Sequence, residues 1–422
     1  MRRIFYFALV GLLALPVCLF AADTSTTSAT THHRAHHRAR VHESRVAQRH
    51  IHHLQHSRRV AYSRRRSRVH SSSAHVRRVH YRVRRHRHYY EHFDASSFVT
   101  NPEELTAGDV TGGEDPMVRQ AAVEALGNMN GTVVAIDPSD GRILAMVNQK
   151  LALSSGAEPC STIKISVALA ALEEGIVTKD TPVDLGGHYR INMTEALAHS
   201  VNAYFEVLGR ELGFERVKHY ANEFGLGELA GYDIPGEHLG TYPDEPLPAD
   251  RGGVGRMCSF GESISMTPLQ LGALVSAVAN GGTLYYLQHP TTPDQVLNFH
   301  PRVKRLLNIK PILPEVEAGM LGAVDYGTAR SLRTSFRQIP VLGKTGTCSN
   351  DGTRFGWFAS YADTQYGRIV VVFFLEGGRD TYGPKAAELA GYFYRDLWND
   401  QYFATKQPTE QGSPATAIGV SQ

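Results

Sequence analysis

Three short motifs place two serines, two lysines and an asparagine at spacings suited to nucleophilic chemistry. They are Ser161–Lys164, Ser200–Asn202 and Lys344–Thr347, and each pattern, S-x-x-K, S-x-N and K-T-G, occurs once in the 422 residues. An S-x-x-K or S-x-N is expected by chance about once or twice in a chain this long, and a K-T-G in roughly one chain in ten. One motif alone is weak evidence, whereas all three in this order are specific.

Ser161 and Lys164 are spaced as a nucleophile and its base. A serine hydroxyl has a high pKa, so it attacks only when a neighbouring base accepts its proton. Lys164 follows after about one helical turn, so its amine can reach the Ser161 oxygen. The amine must be neutral to accept a proton, and both burial and a second cation, here Lys344, lower a lysine pKa. A lone S-x-x-K would be better explained by an ordinary helix start with a surface lysine.

The third motif closes a segment of strand character, Val341–Thr347. An edge strand would let an extended peptide add alongside it through backbone hydrogen bonds. Gly346 has no side chain, so a substrate can lie close to the backbone. Thr345 and Thr347 supply hydroxyls for a terminal carboxylate, and Lys344 supplies positive charge.

The motifs and their surroundings resemble the transpeptidase domain of penicillin-binding proteins, which shares these three elements with serine β-lactamases. The resemblance runs from about Asp115 to Trp398. It is carried also by GTVVAIDPSDGRILAMV, ALAHSVNAYFEVLG, SISMTPLQLGALVSAVANGG, YGTAR and RFGWFASYA. It implies an α+β fold, in which an antiparallel sheet is flanked by helices and accompanied by an all-helical lobe.

The resemblance also implies roles and an activity. Ser200 would relay a proton and Asn202 would bind a substrate amide, while the backbone N–H groups of Ser161 and Thr347 would form the oxyanion hole. The activity implied is that of a serine D,D-transpeptidase that acts on peptidoglycan stem peptides and binds β-lactams, with no metal or cofactor. A D,D-carboxypeptidase, a class D-like β-lactamase and a non-turnover penicillin sensor stay open as alternatives.

Three departures from the family pattern leave substrate selectivity open. Cys160 and Ile163 replace the usual glycine before the serine and aromatic residue before the lysine. The interval from Ser161 to Ser200 is short, which predicts a trimmed helical lobe. Gly261–Ser263 stands where a Gly-Gln-Gly-like turn is common.

Charge is segregated along the chain, although the formal net charge is only +3. Residues 32–93 hold 17 Arg and 15 of the 21 His but two acids, whereas residues 94–422 carry a net charge of −13. Low complexity without an apolar period predicts that 23–93 is a disordered linker. It is either a passive tether or an electrostatic contact to anionic membrane or cell-wall polymer. Nucleic acid is not expected behind an export signal.

The first 22 residues predict export. Met1–Arg3 is basic and Ile4–Ala22 is an apolar run, typical of a signal peptide or a signal anchor. Either would place the protein in the periplasm or on the outer face of the bacterial cytoplasmic membrane. The transpeptidase-like domain is predicted at 94–406 and a disordered tail at 407–422. With only the linker before residue 94, we expect neither a glycosyltransferase domain nor an N-terminal non-catalytic module.

The four cysteines do not have the spacing of a metal site, since no CxxC or Cys/His zinc pattern is found. Cys18 lies in the export segment. Cys160 and Cys348 flank two of the motifs and could approach each other, but free cysteine is usually a small core residue. We therefore expect Cys160, Cys258 and Cys348 to be small buried thiols.

Hydrophobic patterning predicts the elements that must position the motifs. A hairpin near the start and three strands near the end predict one sheet with helices packed on it. Folded sequence is expected to begin near Asp115, and His199, which has no partner at identifiable spacing, is interpreted as structural. Strands are predicted at 131–137, 142–147, 341–347, 355–361 and 368–375, and helices at 117–126, 161–175, 193–212, 215–224, 267–279 and 384–398.

Overall fold

The structure is a computed structural model that describes residues 91–364 and 367–405. The predicted export segment, nearly all of the Arg/His-rich linker and the predicted C-terminal tail lie outside the described residues. No helix in the described ranges is long and apolar enough to cross a membrane.

The strands of the described chain form one large sheet and two small two-stranded sheets. In chain order they are β1 (Gly131–Asp137), β2 (Arg142–Val147), β3 (Val183–Asp184), β4 (Arg190–Ile191), β5 (Thr283–Tyr285), β6 (Val303–Leu306), β7 (Val341–Asn350), β8 (Thr353–Thr364) and β9 (Gly367–Gly377).

The helices fall before, between and after these strands. They are α1 (Glu103–Thr106), α2 (Pro116–Leu126), α3 (Gln149–Ala152), α4 (Lys164–Glu173), α5 (Met193–Ala198), α6 (Asn202–Leu212), α7 (Phe214–Glu223), α8 (Gly253–Phe260), α9 (Pro268–Asn280), α10 (Pro293–Leu297), α11 (Leu313–Asp325), α12 (Gly383–Asn399) and α13 (Tyr402–Thr405), with 3-10 turns at Cys160–Ile163, Ala249–Arg251 and Arg330–Thr334.

The large sheet is antiparallel and has the strand order β2-β1-β9-β8-β7. β1 pairs with β9, with Val133 opposite Phe373, so early and late parts of the chain meet in its centre. β7 is at one edge and pairs with β8. The predicted α+β class, an antiparallel sheet flanked by helices, is confirmed.

Both faces of the sheet are buried because helices pack on each of them, and successive residues of a strand contribute to opposite faces. Val134 and Val372 pack in one core, which includes residues of α4 and α9. Val133 and Phe373 pack in a second core, which includes residues of α2 and α12. The sheet is therefore a central layer that holds β7, and with it the third motif, against helices on both sides.

The helical part of the fold centres on α4. All of its residues from Lys164 to Leu172 are buried, so a charged side chain at its first position is enclosed by the protein. α6 and α8 approach each other closely, since a Cβ at Gly209 would lie 2.6 Å from Cys258 Sγ. Residues of these helices belong to the first core, on the side of the sheet where Ser161 lies.

Two predicted helices differ from the structure by more than one residue or are divided, and both differences affect the site. The helix predicted at 161–175 begins as a 3-10 turn, and α-helical geometry starts at Lys164. The helix predicted at 193–212 is divided into α5 and α6, because Ser200 has a φ of +56°, in the left-handed region.

The fold also begins earlier than the expected start near Asp115. Leu105 is buried with the second core. The Asp109 carboxylate accepts a hydrogen bond from Arg119 Nη2 at 2.7 Å and another from the backbone N–H of Asn148 at 3.0 Å. The segment before α2 is polar in sequence, so hydrophobic periodicity could not identify these contacts.

Candidate active site

Ser161 lies in the 3-10 turn before α4 and is half-exposed between buried neighbours. The turn is held by Thr162, whose Oγ1 donates a hydrogen bond to the Pro159 carbonyl at 2.7 Å. Lys164 Nζ lies 2.8 Å from Ser161 Oγ. The one-turn spacing therefore brings the amine into hydrogen-bond contact with the hydroxyl.

The Ser200 turn completes a set of polar groups around the Lys164 amine. Lys164 Nζ lies 3.1 Å from both the carbonyl oxygen and Oγ of Ser200, and 2.5 Å from Asn202 Oδ1. Ser200 Oγ is also 2.9 Å from Lys344 Nζ. The hydroxyl of Ser200 thus connects the two lysines, which the break between α5 and α6 makes possible.

Strand β7 carries Lys344 into the same site. Lys344 is fully buried, and its Nζ donates to the Thr345 carbonyl at 2.9 Å. Gly346 packs against the serine turn, since a Cβ there would lie 2.9 Å from the Pro159 carbonyl oxygen and 3.2 Å from Trp357 Cβ. Close packing inside the protein is therefore already a sufficient reason for glycine at this position.

The threonine side chains of the motif point to the other face of β7, because side chains alternate along a strand. Thr347 Oγ1 accepts a hydrogen bond from the Gly383 N–H at 2.8 Å. Thr345 Oγ1 lies 2.7 Å from Thr328 Oγ1. Sequence reasoning missed Gly383 and Thr328 as neighbours of the site. Thr328 could have been found from the sequence, because it lies in the YGTAR segment, which is one of those that carry the family resemblance.

Burial controls the charge of both lysines, whose side chains have no exposed surface. Burial, and then the charge of Lys344, lower the pKa of Lys164 well below its usual value, while Glu206 acts in the opposite direction. Burial lowers the pKa of Lys344 to about 7. Two ammonium groups beside one hydroxyl repel each other, so the arrangement favours a neutral amine at Lys164. A neutral Lys164 can accept the Ser161 proton.

We expect Lys344 to make the stability of the domain depend on pH. Its pKa is about 7 in the folded protein and about 10.4 in an unfolded chain, so between these values the unfolded chain binds the additional proton. The free energy of unfolding should therefore rise with pH across this window. Lys344→Met removes the titrating group. The variant should therefore be more stable than the wild type at pH 7, and this difference in the free energy of unfolding should be smaller at pH 10. Chemical denaturation of both proteins checks this, and an advantage independent of pH would contradict it.

A disulfide joins Cys160 and Cys348, so the prediction of buried thiols is wrong for this pair. Cys160 directly precedes Ser161, and Cys348 directly follows Thr347. The bond, with Cα atoms 5.5 Å apart, ties the serine turn to the edge strand. Cys258 is a buried free thiol, as expected, and burial raises its pKa to about 12.

Loss of this disulfide should lower the stability of the domain. The bond closes a long segment, with a sequence separation of 188, and disulfides typically contribute about 2–4 kcal/mol. We expect the Cys160→Ser/Cys348→Ser double variant to have a free energy of unfolding lower by about that amount. Denaturation with and without a thiol reductant supplies the control. Reductant should bring the wild type to the level of the double variant and leave that variant unchanged, and a wild type insensitive to reductant would contradict the prediction.

The turn that departs from the family pattern, Gly261–Ser263, borders the serine turn. Glu262 forms ion pairs with Arg256 at 2.7 Å and with Arg251 at 3.3 Å. Burial, and then the charge of Glu262, raise the pKa of Glu158 to about 7, while Arg256 acts in the opposite direction. Sequence reasoning did not single out Glu158, which lies three residues before Ser161.

The described contacts of His199 are with surface side chains and not with Lys164 or Lys344. Its Nε2 lies 3.4 Å from Glu195 Oε2, and its ring centroid is 5.6 Å from that of Tyr326. Across the described ranges, no group of three or more His, Cys, Asp or Glu side chains could hold a metal ion.

The profile of the penicillin binding protein transpeptidase domain matches residues 131–394, which include all three motifs. The match spans more than half of the chain. The chain belongs to this family.

Relatives with established names are similar over part of their length. Stage V sporulation protein D of Bacillus subtilis is 29% identical over 316 residues, which cover 62% of this chain and 48% of the relative. Peptidoglycan D,D-transpeptidase MrdA of Acinetobacter baumannii is 26% identical over 400 residues, which cover 73% of this chain and 57% of the relative. The chain thus spans about half the length of these relatives.

Solved structures share the fold. PBPA from Mycobacterium tuberculosis superposes with a TM-score of 0.57 at 21% identity and covers 67% of this chain and 81% of its own. The D,D-transpeptidase domain of a peptidoglycan glycosyltransferase from Eggerthella lenta superposes with a TM-score of 0.55 at 22% identity and covers 71% of this chain and 86% of its own. Both similarities show that this chain shares the overall fold of these domains.

Proposed function

We propose that the protein is a serine D,D-transpeptidase that binds penicillin and cross-links peptidoglycan stem peptides through an acyl-enzyme on Ser161. The observation that carries this proposal is the run of contacts from Ser161 through Lys164 and Ser200 to Lys344. A buried lysine of lowered pKa beside a half-exposed hydroxyl is suited to acyl transfer. The relative named peptidoglycan D,D-transpeptidase MrdA supports the substrate class.

In the acylation step, Ser161 Oγ attacks the carbonyl carbon of the penultimate D-Ala. Neutral Lys164 accepts the hydroxyl proton, and the Ser200 hydroxyl relays that proton from Lys164 to the leaving nitrogen as the peptide bond breaks. D-Ala therefore leaves as a neutral amine and the acyl group remains on Ser161. The N–H groups of Ser161 and Thr347 stabilise the oxyanion, and Asn202 binds an amide of the donor peptide.

The donor peptide would lie along the edge strand β7, whose outer side has no partner strand within the described residues. Thr345 and Thr347 would donate hydroxyl hydrogen bonds to its terminal carboxylate, and Lys344 would supply positive charge. The backbone of Gly346, between the two threonines, would lie beside the backbone of the peptide. In the second step the amine of a neighbouring stem attacks the acyl-enzyme, forms the new amide bond and restores the Ser161 hydroxyl.

The experiment that tests this function uses the purified protein, a labelled penicillin and a peptide that ends in D-Ala-D-Ala, with and without an acceptor amine. We expect covalent labelling, release of D-Ala and a cross-linked product that requires the amine. Release of D-Ala without any amine product would indicate a D,D-carboxypeptidase, and rapid penicillin turnover would indicate a β-lactamase. Stable labelling with no turnover of the peptide would indicate a sensor.

We further propose where the protein acts and what its Arg/His-rich segment contacts. The catalytic domain would comprise 94–406. It would act outside the cytoplasm, in the periplasm or on the outer face of the membrane, with residues 1–22 as the signal that directs export. Residues 32–93 would contact anionic membrane or cell-wall polymer, a proposal supported by their 17 Arg and 15 His. Steep weakening of binding to anionic vesicles by added salt is the measurement that separates this contact from a passive tether.

A further inference from the structure

The connection between α11 and the 3-10 turn Arg330–Thr334 contacts β7, which carries the K-T-G motif, and the end of α5, two residues before Ser200. Within it, the Thr328 backbone N–H donates to the Ala198 carbonyl at 3.1 Å, at the end of α5 just before the Ser200 turn. The Thr328 side chain lies on β7, with Oγ1 2.7 Å from Thr345 Oγ1. One residue therefore connects the Ser200 turn with the K-T-G strand.

The position of Thr328 is fixed by close backbone packing on either side of it. The Gly327 N–H donates to the Gly322 carbonyl at 2.9 Å, and the Ala329 N–H donates to the Ala323 carbonyl at 2.8 Å. A Cβ at Gly327 would collide with the Ala198 carbonyl oxygen. Thr328 is thus held between α11 and α5 and does not depend on β7 for its place.

In a hydrogen-bonded pair of hydroxyl groups, one O–H remains free to donate to a third group. When one threonine donates to the other, the acceptor keeps its own O–H for a further partner. Thr345 is buried, and Thr328 restricts the directions that its hydroxyl can take. The Thr328–Thr345 pair is therefore arranged to donate one hydrogen bond to an acceptor at the edge of β7, and an ionised acceptor would make that bond stronger.

We propose that Thr328 is a positioning residue that orients the Thr345 hydroxyl for the carboxylate of the donor substrate. This inference rests on the proposed function, because only a substrate with a terminal carboxylate beside β7 would use the hydroxyl in this way. Thr328 acts through Thr345 and has no contact with Ser161 or the lysines among its hydrogen bonds in the described residues.

The test compares acylation by a penicillin and by its methyl ester, which lacks the ionised carboxylate. Thr328→Val keeps the shape of the side chain and removes the hydroxyl, so it should slow acylation by the penicillin about 10- to 100-fold, as expected for a hydrogen bond to a charged group. The rate with the ester should stay close to that of the wild type, which also shows that the variant is folded. Thr328→Ser should restore most of the preference for the free acid.

A matched control and a double variant complete the design. Thr334 lies in the following turn, and its Oγ1 donates to the Ser331 carbonyl at 2.6 Å, so Thr334→Val should leave the ratio of the two rates unchanged. Thr328→Val should have no further effect on acylation once Thr345→Val is present, because both changes remove the same contact.

Two results would overturn the inference while leaving the proposed function in place. The first is a rate of acylation by the penicillin that is unchanged in Thr328→Val. The second is equal slowing with the free acid and the ester, which would show that Thr328 has a purely structural role. A wild type that neither reagent acylates would overturn the proposed function and this inference with it.

Discussion

Replacing Ser161 with alanine is expected to abolish covalent labelling by penicillin. The variant lacks the oxygen that forms the acyl bond. The fold should persist, because Ser161 is half-buried in the 3-10 turn before α4 and only its hydroxyl is removed. Labelling is measured by gel fluorescence or intact mass, and folding by circular dichroism.

Ser166→Ala is a suitable control for this experiment. Ser166 is buried in α4, just after the turn that carries Ser161, and within the described residues its Oγ donates to the Ile163 carbonyl, at 2.8 Å. Its loss should reduce stability slightly and leave labelling intact. Persistent label on the Ser161→Ala protein would show that the nucleophile has been wrongly assigned.

Replacing Lys164 with alanine is expected to slow acylation by about 10²–10⁴-fold while Ser161 remains in place. Positioned proton transfer commonly contributes a factor of this size. The structural reason is the contact of 2.8 Å between Lys164 Nζ and Ser161 Oγ, together with the lowered pKa that burial imposes on the amine. The second-order rate of penicillin acylation is the quantity to measure.

Lys164→Arg separates the role of a base from that of a cation. A guanidinium retains positive charge and hydrogen-bond donors but does not give up its proton at any usual pH. The arginine variant should therefore be about as slow as the alanine variant. Lys310→Ala, at an exposed position, should match the wild type. A Lys164→Arg protein that acylates at the wild-type rate would exclude proton transfer as the function of Lys164.

Much of the fold could be predicted from local pattern. The bounds predicted for β1 and β2 agree with the structure to the residue, since two short apolar runs separated by a turn rich in Pro, Asp and Gly define a hairpin locally. The strand nature of β7 followed from its composition in the same way. The antiparallel class was predicted from a resemblance in residues 115–398 and is confirmed.

Sequence by itself determined which groups are available for chemistry: one S-x-x-K, one S-x-N and one K-T-G, in that order. The tertiary structure decided how they meet. The contacts of Ser200 with Lys164 and Lys344, the Cys160–Cys348 bond and the Thr328–Thr345 contact all join segments that are not neighbours in the chain. Local periodicity reports only which face of an element is apolar, whereas these contacts, and the burial that lowers both lysine pKa values, exist only after distant elements have packed together.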